Sequence, residues 1–196
     1  MEDEEGDHIV SYSLKKTDQY PRFIYSSQGL LGYLALNSKD RKLAWIEWEN
    51  TSIRIVQNKW TIKAEIAFPQ WVLGMSSFSC VGDDVVGAFA QEGIWTLALF
   101  QENGSIKILD QPFIEFSGLH SYQNRLVAIA SSSEITEGIF EIDLLDNSWE
   151  HTPASTFSLA PDEISVGESF WFIGSNEENV HAWYYPPLDK QIFLPP

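Results

Sequence analysis

The sequence predicts an all-β fold, a partial β-propeller of about three to four blades, each a four-stranded antiparallel meander. Composition is the first reason: of the 196 residues, 44% are hydrophobic and 14% aromatic, and such side chains pack well on a pleated sheet. Patterning is the second, because short apolar runs bounded by Gly, Asn, Asp and Ser follow one another with almost no helical recurrence. The third reason is that these runs repeat at a spacing of about 40 to 50 residues, which is typical of propeller blades.

The apolar runs predict individual strands. In chain order these occupy residues 9–14, 22–25, 43–48, 53–57, 85–90, 94–100, 105–109, 125–130, 139–143 and 170–173. The run at 85–90 is almost wholly apolar, as expected for an inner strand that neighbouring blades cover on both faces. The run at 105–109 alternates at first, which predicts an outer strand with one face in water.

Three of these runs head repeating units. They begin at Lys42, Val85 and Arg125, at offsets of about 43 and 40 residues. Each follows a turn signal of small polar residues, at 37–40, 82–84 and 122–124. In the second and third units another strand follows, and a further turn at 103–105 or 146–148 leads to an outer strand. The order predicts a meander in each unit.

Charge restricts the classes of partner. The formal net charge of −16 argues against nucleic-acid binding and against anionic membranes, because no basic stripe is present to offset it. No signal peptide or transmembrane run is recognisable, and the single cysteine, Cys80, forms no internal disulfide. These features predict a cytoplasmic protein, with Cys80 packed as a small hydrophobe on a strand.

Two serines stand in strings that resemble catalytic motifs. Ser76 lies in Gly-Met-Ser-Ser-Phe, where Phe78 replaces the second glycine of a nucleophile elbow, and no helix is expected to follow it. Ser13 and Lys16 match a Ser-x-x-Lys string, but at a strand end and without the partner motifs of that enzyme class. The sequence therefore predicts no catalytic residue.

Metal and cofactor sites are not predicted either. The four histidines, His8, His120, His151 and His181, form no ligand-spaced pair, and no glycine-rich phosphate loop is present. Carboxylates do cluster, between Glu134 and Glu141 and at Asp162 and Glu163. The sequence predicts that these carboxylates lie in solvated loops. Two alternatives are that they bind the amino terminus of a peptide, or that they line the central funnel of a glycosidase.

Three segments, in matching order, are similar to the dipeptidyl and acylaminoacyl peptidase branch of the prolyl oligopeptidase family. Residues 42–48 resemble a blade strand, residues 65–76 with their Pro-Gln-Trp-Val-Leu-Gly string resemble the family's most specific stretch, and residues 164–168 with 180–187 resemble the strands that leave the propeller. After Trp48 the sequence departs from the family pattern, which implies that one or more blades are missing. It also ends at Pro196, before the family's oxyanion segment.

The resemblance implies a domain plan and a function. The plan is an acidic tail at 1–7, propeller blades at 8–163 and crossover strands at 164–196 leading towards an absent α/β-hydrolase domain. The implied function is that of a non-catalytic propeller portion, which gates peptide access and packs on a hydrolase domain or on a second propeller chain. Peptide substrates would bind only in the full-length context. The alternative is a stand-alone interaction module, completed by oligomerisation or by a partner chain.

Overall fold

The computed structural model describes residues 6–15, 20–37, 42–47, 52–55, 58–62, 64–66, 75–156 and 159–188. Within these ranges it contains β-strands and one 3-10 helix at Pro161–Glu163, but no α-helix. The strands are β1 (Asp7–Ser11), β2 (Arg22–Ser27), β3 (Leu31–Asn37), β4 (Lys42–Glu47), β5 (Ser52–Ile55), β6 (Asn58–Thr61), β7 (Phe78–Val81), β8 (Asp84–Gln91), β9 (Ile94–Phe100), β10 (Ile106–Ile108), β11 (Glu115–Tyr122), β12 (Arg125–Ser131), β13 (Gly138–Asp143), β14 (Trp149–Pro153), β15 (Glu168–Ile173) and β16 (Asn179–Tyr184). Over the same ranges, no helix has the length and apolar character that a membrane crossing requires.

Twelve of the strands form three antiparallel meanders in strict chain order. Blade 1 is β3–β6, blade 2 is β7–β10 and blade 3 is β11–β14, and the hairpins β1–β2 and β15–β16 flank them. The three predicted unit heads are β4, β8 and β12, the second strand of each blade. The predicted all-β fold of four-stranded meanders is confirmed.

The first strands of blades 1 and 3 are absent from the predicted set of strands. Both contain a β-bulge: the register of β3 shifts between Gly32 and Ala35, and that of β11 shifts between Ser117 and His120. A bulge adds one residue to one strand, so it breaks the alternation by which a strand is recognised. The predicted strand at 9–14 also extends too far, because β1 stops at Ser11, whereas residues 56 and 57 of the predicted strand at 53–57 lie outside the described residues.

Two apolar clusters hold neighbouring blades face to face. The cluster between blades 1 and 2 is formed by Ala44, Ile46, Trp60, Ile66, Phe78, Val85, Phe89, Ala98 and Phe100. The cluster between blades 2 and 3 is formed by Val86, Ala88, Leu97, Leu99, Leu109, Phe113, Phe116, Leu119, Leu126, Ala128, Ala130, Phe140, Ile142 and Leu144. Residues of β8 belong to both clusters, which confirms the inner strand expected to be covered on both faces.

Strands β10 and β12 are more exposed to water than the inner strand β8. All three residues of β10 are exposed, so the expectation that only one face of this strand meets water is wrong. β10 is the edge strand of its sheet, and Leu109, which directly follows it, is buried in the cluster between blades 2 and 3. In β12 buried and exposed residues alternate, because blade 2 covers one face and no described residue covers the other.

The first strands of the three blades lie side by side. The amide of Leu119 on β11 donates to the carbonyl of Ser76, which precedes β7, over 3.0 Å. Asn37, at the end of β3, donates its side-chain amide to the carbonyl of Gly82 in the β7–β8 turn. Such convergence of first strands is the arrangement found around the axis of a propeller.

The hairpins cap the stack at different places. Hairpin β1–β2 covers the outer face of blade 1, where the rings of Tyr25 and Trp45 lie 4.8 Å apart. Hairpin β15–β16 lies against the β8–β9 turn, since a Cβ added to Gly93 would meet the indole Nε1 of Trp183 at 2.7 Å. The hairpin therefore leaves little room for a side chain at Gly93, whose φ of 76° also favours glycine.

Candidate functional site

The converging first strands enclose a groove of about 330 Å³, called the axial groove below. Its described lining consists of Tyr33, Leu34, Ala35, Leu36, Met75, Ser76, Phe78, Ser79, Leu119 and His120. The bulges of β3 and β11 shape its walls, with Tyr33 (φ 54°) and Gly118 (φ 61°) both in the left-handed region. The two residues occupy equivalent bulge positions in blades 1 and 3.

Serine hydroxyl groups connect β7 and β11, the first strands of blades 2 and 3, beside the groove. The Oγ atoms of Ser79 on β7 and Ser121 on β11 lie 2.7 Å apart, and the Ser79 Oγ also accepts from the Ser121 amide over 3.0 Å. Ser121 Oγ contacts the carbonyl of Cys80 at 2.6 Å. These bonds bridge two first strands whose backbones do not pair, so they fix the spacing of two groove walls.

Ser76 and His120 line the same groove, a proximity that the sequence analysis did not predict. The Ser76 hydroxyl donates to the carbonyl of Phe78 over 2.7 Å. A neutral carbonyl does not remove a proton from a hydroxyl, so this bond positions the loop before β7 and activates no nucleophile. Ser13 follows the end of β1, while Lys16 lies outside the described residues.

Cys80 is half-buried on β7, as expected for a packed strand residue. Burial raises the pKa of its thiol above the ordinary value of 9.0, because the thiolate is poorly solvated there. Because the thiolate is the reactive form of cysteine, this environment lowers the reactivity of Cys80. Burial also raises the pKa of the Tyr33 hydroxyl.

The four histidines are spread over the molecule. His8 contacts Ser26 Oγ at 2.9 Å, His151 stacks near Phe113 at 4.9 Å, and His120 lines the axial groove. His181 contacts Ser169 Oγ at 2.9 Å and lies beside two indole rings. In the part of the chain that the structure describes, no group of three or more potential ligands is placed to hold a metal ion.

A second cavity, the rim pocket, has a volume of about 430 Å³. It is lined by residues 131–137 of the β12–β13 loop and by Ser155, Leu159, Glu163, Ile164 and Ser165. It brings together parts of the two predicted carboxylate clusters. Glu141 points elsewhere and forms an ion pair with Arg125, so the first cluster is divided.

The carboxylates of the rim pocket contribute to local structure. Glu163 accepts a hydrogen bond from the Ala160 amide over 2.9 Å, which closes the turn before Ile164. The Ser132 hydroxyl accepts from the amides of Glu134 and Ile135 at 3.3 and 3.1 Å. These contacts order the loops that carry the carboxylates.

Known proteins that are similar to this chain are found among solved structures. No protein-family model and no curated protein matches the sequence. Among solved structures, a puromycin-hydrolysing peptidase of Mycobacterium tuberculosis has a TM-score of 0.75 at 18% identity, covering 86% of this chain and 28% of that one. A puromycin hydrolase gives a TM-score of 0.73 at 17% identity, with 87% and 28% coverage. The AtxE2 isopeptidase gives 0.55 at 10% identity, with 82% and 26% coverage.

These likenesses define the class of fold: the three meanders are propeller blades. The two puromycin-hydrolysing enzymes are peptidases of the prolyl oligopeptidase family, so the resemblance to that family is confirmed at the level of the fold. The chain spans about 28% of the length of these enzymes. Of the segment at 65–76, the most specific sequence match, residues 67–74 lie outside the described residues.

The axial groove was not predicted as a site. Its apolar lining comes from strands more than about 40 residues apart, one from each repeating unit. A usable signal was nevertheless present, because a first strand must precede every predicted unit head in a four-stranded blade.

Proposed function

We propose that this chain is the non-catalytic propeller portion of a prolyl-oligopeptidase-type peptidase, and that its axial groove admits and orients peptides. The observation that supports this most directly is the groove itself, which three consecutive blades line with their first strands. Propeller blades are arranged around a central channel, which gives a groove at this place an opening along the axis. The solved structures of similar fold are peptidases, which makes a peptide the substrate class to test.

The groove has the chemistry to bind an extended peptide of apolar character. Leu34 and Leu36 are 60% and 65% exposed, so they offer apolar surface to a ligand. His120 is exposed beside them and provides a hydrogen-bonding group. No carboxylate occurs among the described lining residues, so the groove itself offers no ion pair to a basic peptide.

A hydrolase domain would pack on the rim that carries the β8–β9 turn. The support for this assignment is hairpin β15–β16, which lies on that turn and in sequence resembles the crossover to such a domain. Phe170 and Phe172 of β15 are 44% and 46% exposed. An apolar two-stranded ribbon is marginal in water, so a further domain covering it is consistent with its composition. The lone cysteine supports a reducing compartment, and we place the protein in the cytoplasm.

Peptide binding tests the proposal. Fluorescence anisotropy of a labelled apolar peptide is expected to show saturable binding to the purified chain, and Leu36→Asp and His120→Ala are expected to weaken it. Tyr122→Ala is the matched control, because Tyr122 is 77% exposed on the same strand as His120 but does not line the groove. Equal affinities for all variants would contradict a groove that binds peptides.

Catalysis is tested separately. The purified chain is expected to release no product from an acylated amino-acid anilide. Ser76→Ala is the control, because Ser76 and His120 share the groove. Product release that disappears in this variant would contradict the non-catalytic assignment.

A further inference from the structure

On blade 3, the last of the described blades, the sheet face turned away from blade 2 carries an apolar strip beside the ion pair of Arg125 with Glu141. Val127, Ile129 and Ile139 are 39%, 45% and 57% exposed. Ile129 and Ile139 are direct cross-strand partners, so their side chains form one continuous strip on β12 and β13. We call this strip the far face.

The internal repeat shows what the far face is built to contact. Pairing of β8 with β9 places Val86 opposite Leu99 and Ala88 opposite Leu97, just as pairing of β12 with β13 places Val127 opposite Glu141 and Ile129 opposite Ile139. The far-face residues therefore hold the register positions of Val86, Ala88 and Leu97, while Glu141 holds the position of Leu99. In blade 2 those three residues are fully buried against blade 3.

Blade 1 repeats the same relationship one step earlier. Ala44 and Ile46 on β4 hold the corresponding positions, and both are buried in the cluster that joins blades 1 and 2. Two successive interfaces thus use the same register positions to bind the following blade. The far face continues that series, and in it these positions are exposed.

The opposite end of the stack is also an apolar sheet face. The inner side of hairpin β1–β2 covers Trp45, while Val10 and its cross-strand partner Phe23 lie on the outer side. Val10 and Phe23 are 47% and 60% exposed. We call this outer side the near face.

We propose that the far face binds the near face of a second copy of this chain, and that two copies close into one ring around a shared propeller axis. Each interface is head-to-tail, and a two-fold rotation about the axis makes the two interfaces identical. The described part of one copy supplies three four-stranded blades and hairpin β1–β2 in series, while hairpin β15–β16 lies on the β8–β9 turn. Two copies supply twice that number of radial units, which stays within the range of four to eight blades typical of propellers.

Ring closure explains why apolar strips occur at both ends of the stack. A stack whose partner bound only the far face would leave Val10 and Phe23 exposed to water. Closure buries both strips and leaves no blade face open, which is how propellers protect their sheets from uncontrolled pairing. This inference does not depend on peptide binding in the axial groove.

The solution mass tests the proposal first. Sedimentation of the full chain at micromolar concentration is expected to give twice the 22.3 kDa of one copy. A single-copy mass throughout that range overturns the proposal.

Interface variants locate the contact. Ile139→Asp on the far face and Phe23→Asp on the near face each place a charge in an apolar contact, so each is expected to weaken self-association by at least about 100-fold. Ile108→Asp is the matched control, because Ile108 is 54% exposed on the outer strand of blade 2, away from both faces. A dimer that survives either face variant, or that Ile108→Asp dissociates, overturns the proposal.

Mixing the two face variants distinguishes head-to-tail closure from pairing of like faces. In a head-to-tail pair, one of the two interfaces joins both substituted faces while the other joins two intact faces. The mixture is therefore expected to form a heterodimer that neither variant forms alone, and its absence overturns the arrangement. Circular dichroism establishes that each variant is folded, and Val127→Asp replaces Ile139→Asp if the latter is not.

Discussion

The axial groove depends on two residues with an unusual backbone conformation. Tyr33 and Gly118 occupy the same bulge position in β3 and β11, with φ angles of 54° and 61°. A left-handed residue at a bulge bends the strand and redirects the following side chains. Leu34 and Leu119, the next residue in each strand, both line the groove. Backbone conformation at one residue therefore sets the direction of the groove wall.

Gly118 provides a test of this role without a steric complication, because a Cβ added there meets no atom within 4 Å. Gly118→Ala is expected to lower the free energy of unfolding by about 1 kcal/mol, the cost of a left-handed conformation for a residue with a Cβ. Gly118→Asn is the control and is expected to cost less, since Asn tolerates this conformation. Urea denaturation measures both. An Ala variant as stable as the wild type would show that the bulge relaxes freely.

The thiol of Cys80 gives a prediction with a defined pH dependence. Because burial raises its pKa in the folded protein, the folded state holds its proton more tightly than the unfolded state does. Titration of Cys80 therefore leaves the free energy of unfolding unchanged well below pH 9.0, the ordinary pKa of a thiol. The free energy of unfolding falls as the pH rises through the raised pKa of the folded state. Cys80→Ser is expected to remove this decline. Thermal unfolding followed between neutral pH and pH values above 9.0 measures it, and the same decline in the Cys80→Ser variant would assign the effect to another group.

At the scale of elements, hairpin β1–β2 is attached to blade 1 through a buried carboxylate. Glu47 is 4% exposed, and its Oε1 accepts hydrogen bonds from Ser27 and, over 3.0 Å, from the hydroxyl of Tyr25. The Tyr25 ring also packs on Trp45. A second attachment joins β1 to β3, where Asp7 Oδ2 accepts a hydrogen bond from the Leu31 amide over 2.9 Å. The hairpin pairs with no further strand among the described strands, so these side-chain contacts hold the near face in place.

Ser27→Ala tests the attachment. It removes a hydrogen bond to a buried carboxylate, so it is expected to lower the free energy of unfolding by about 1.5 to 3 kcal/mol. Ser26→Ala is the control, since Ser26 is exposed on the opposite side of the same strand, and it is expected to change stability by less than about 0.5 kcal/mol. Chemical denaturation of both variants decides the matter. Equal effects would mean that Glu47 does not depend on the hairpin.

Prediction from sequence succeeded where a strand is long and covered on both faces. The run at 94–100 matches β9 (Ile94–Phe100) at both ends, and the run at 85–90 falls within β8 (Asp84–Gln91), because apolar continuity marks such strands. It failed at β3 and β11, whose bulges break the alternation. Since those two strands line the axial groove, the groove was missed for the same physical reason. The rim carboxylates were found, because they cluster in sequence as well as in space.

At the scale of the whole molecule, the fold is a linear series of sheets in which each blade is stabilised by its neighbours. Blade 2 contributes to both apolar clusters, while blade 3 contributes to one. In such a series stability is a sum over interfaces, and the end units gain least. Closure of two copies into a ring would give blade 3 a second interface, so dimerisation and folding are expected to be coupled.

That coupling makes the salt dependence of the ring informative. Each copy carries a formal net charge of −16, so two copies repel one another, whereas the proposed contact strips are apolar. Raising the NaCl concentration shortens the screening length and weakens this repulsion, while apolar contacts lose nothing to salt. The dissociation constant of the dimer is therefore expected to fall as salt rises, measured by sedimentation equilibrium, and the unfolding temperature at fixed protein concentration is expected to rise with it. The Ile139→Asp variant serves as the control, because as a monomer it should gain only the smaller benefit from screening charges within one chain. A dissociation constant that rises with salt would mean that ion pairs hold the copies together, and the apolar far face would then not be the contact.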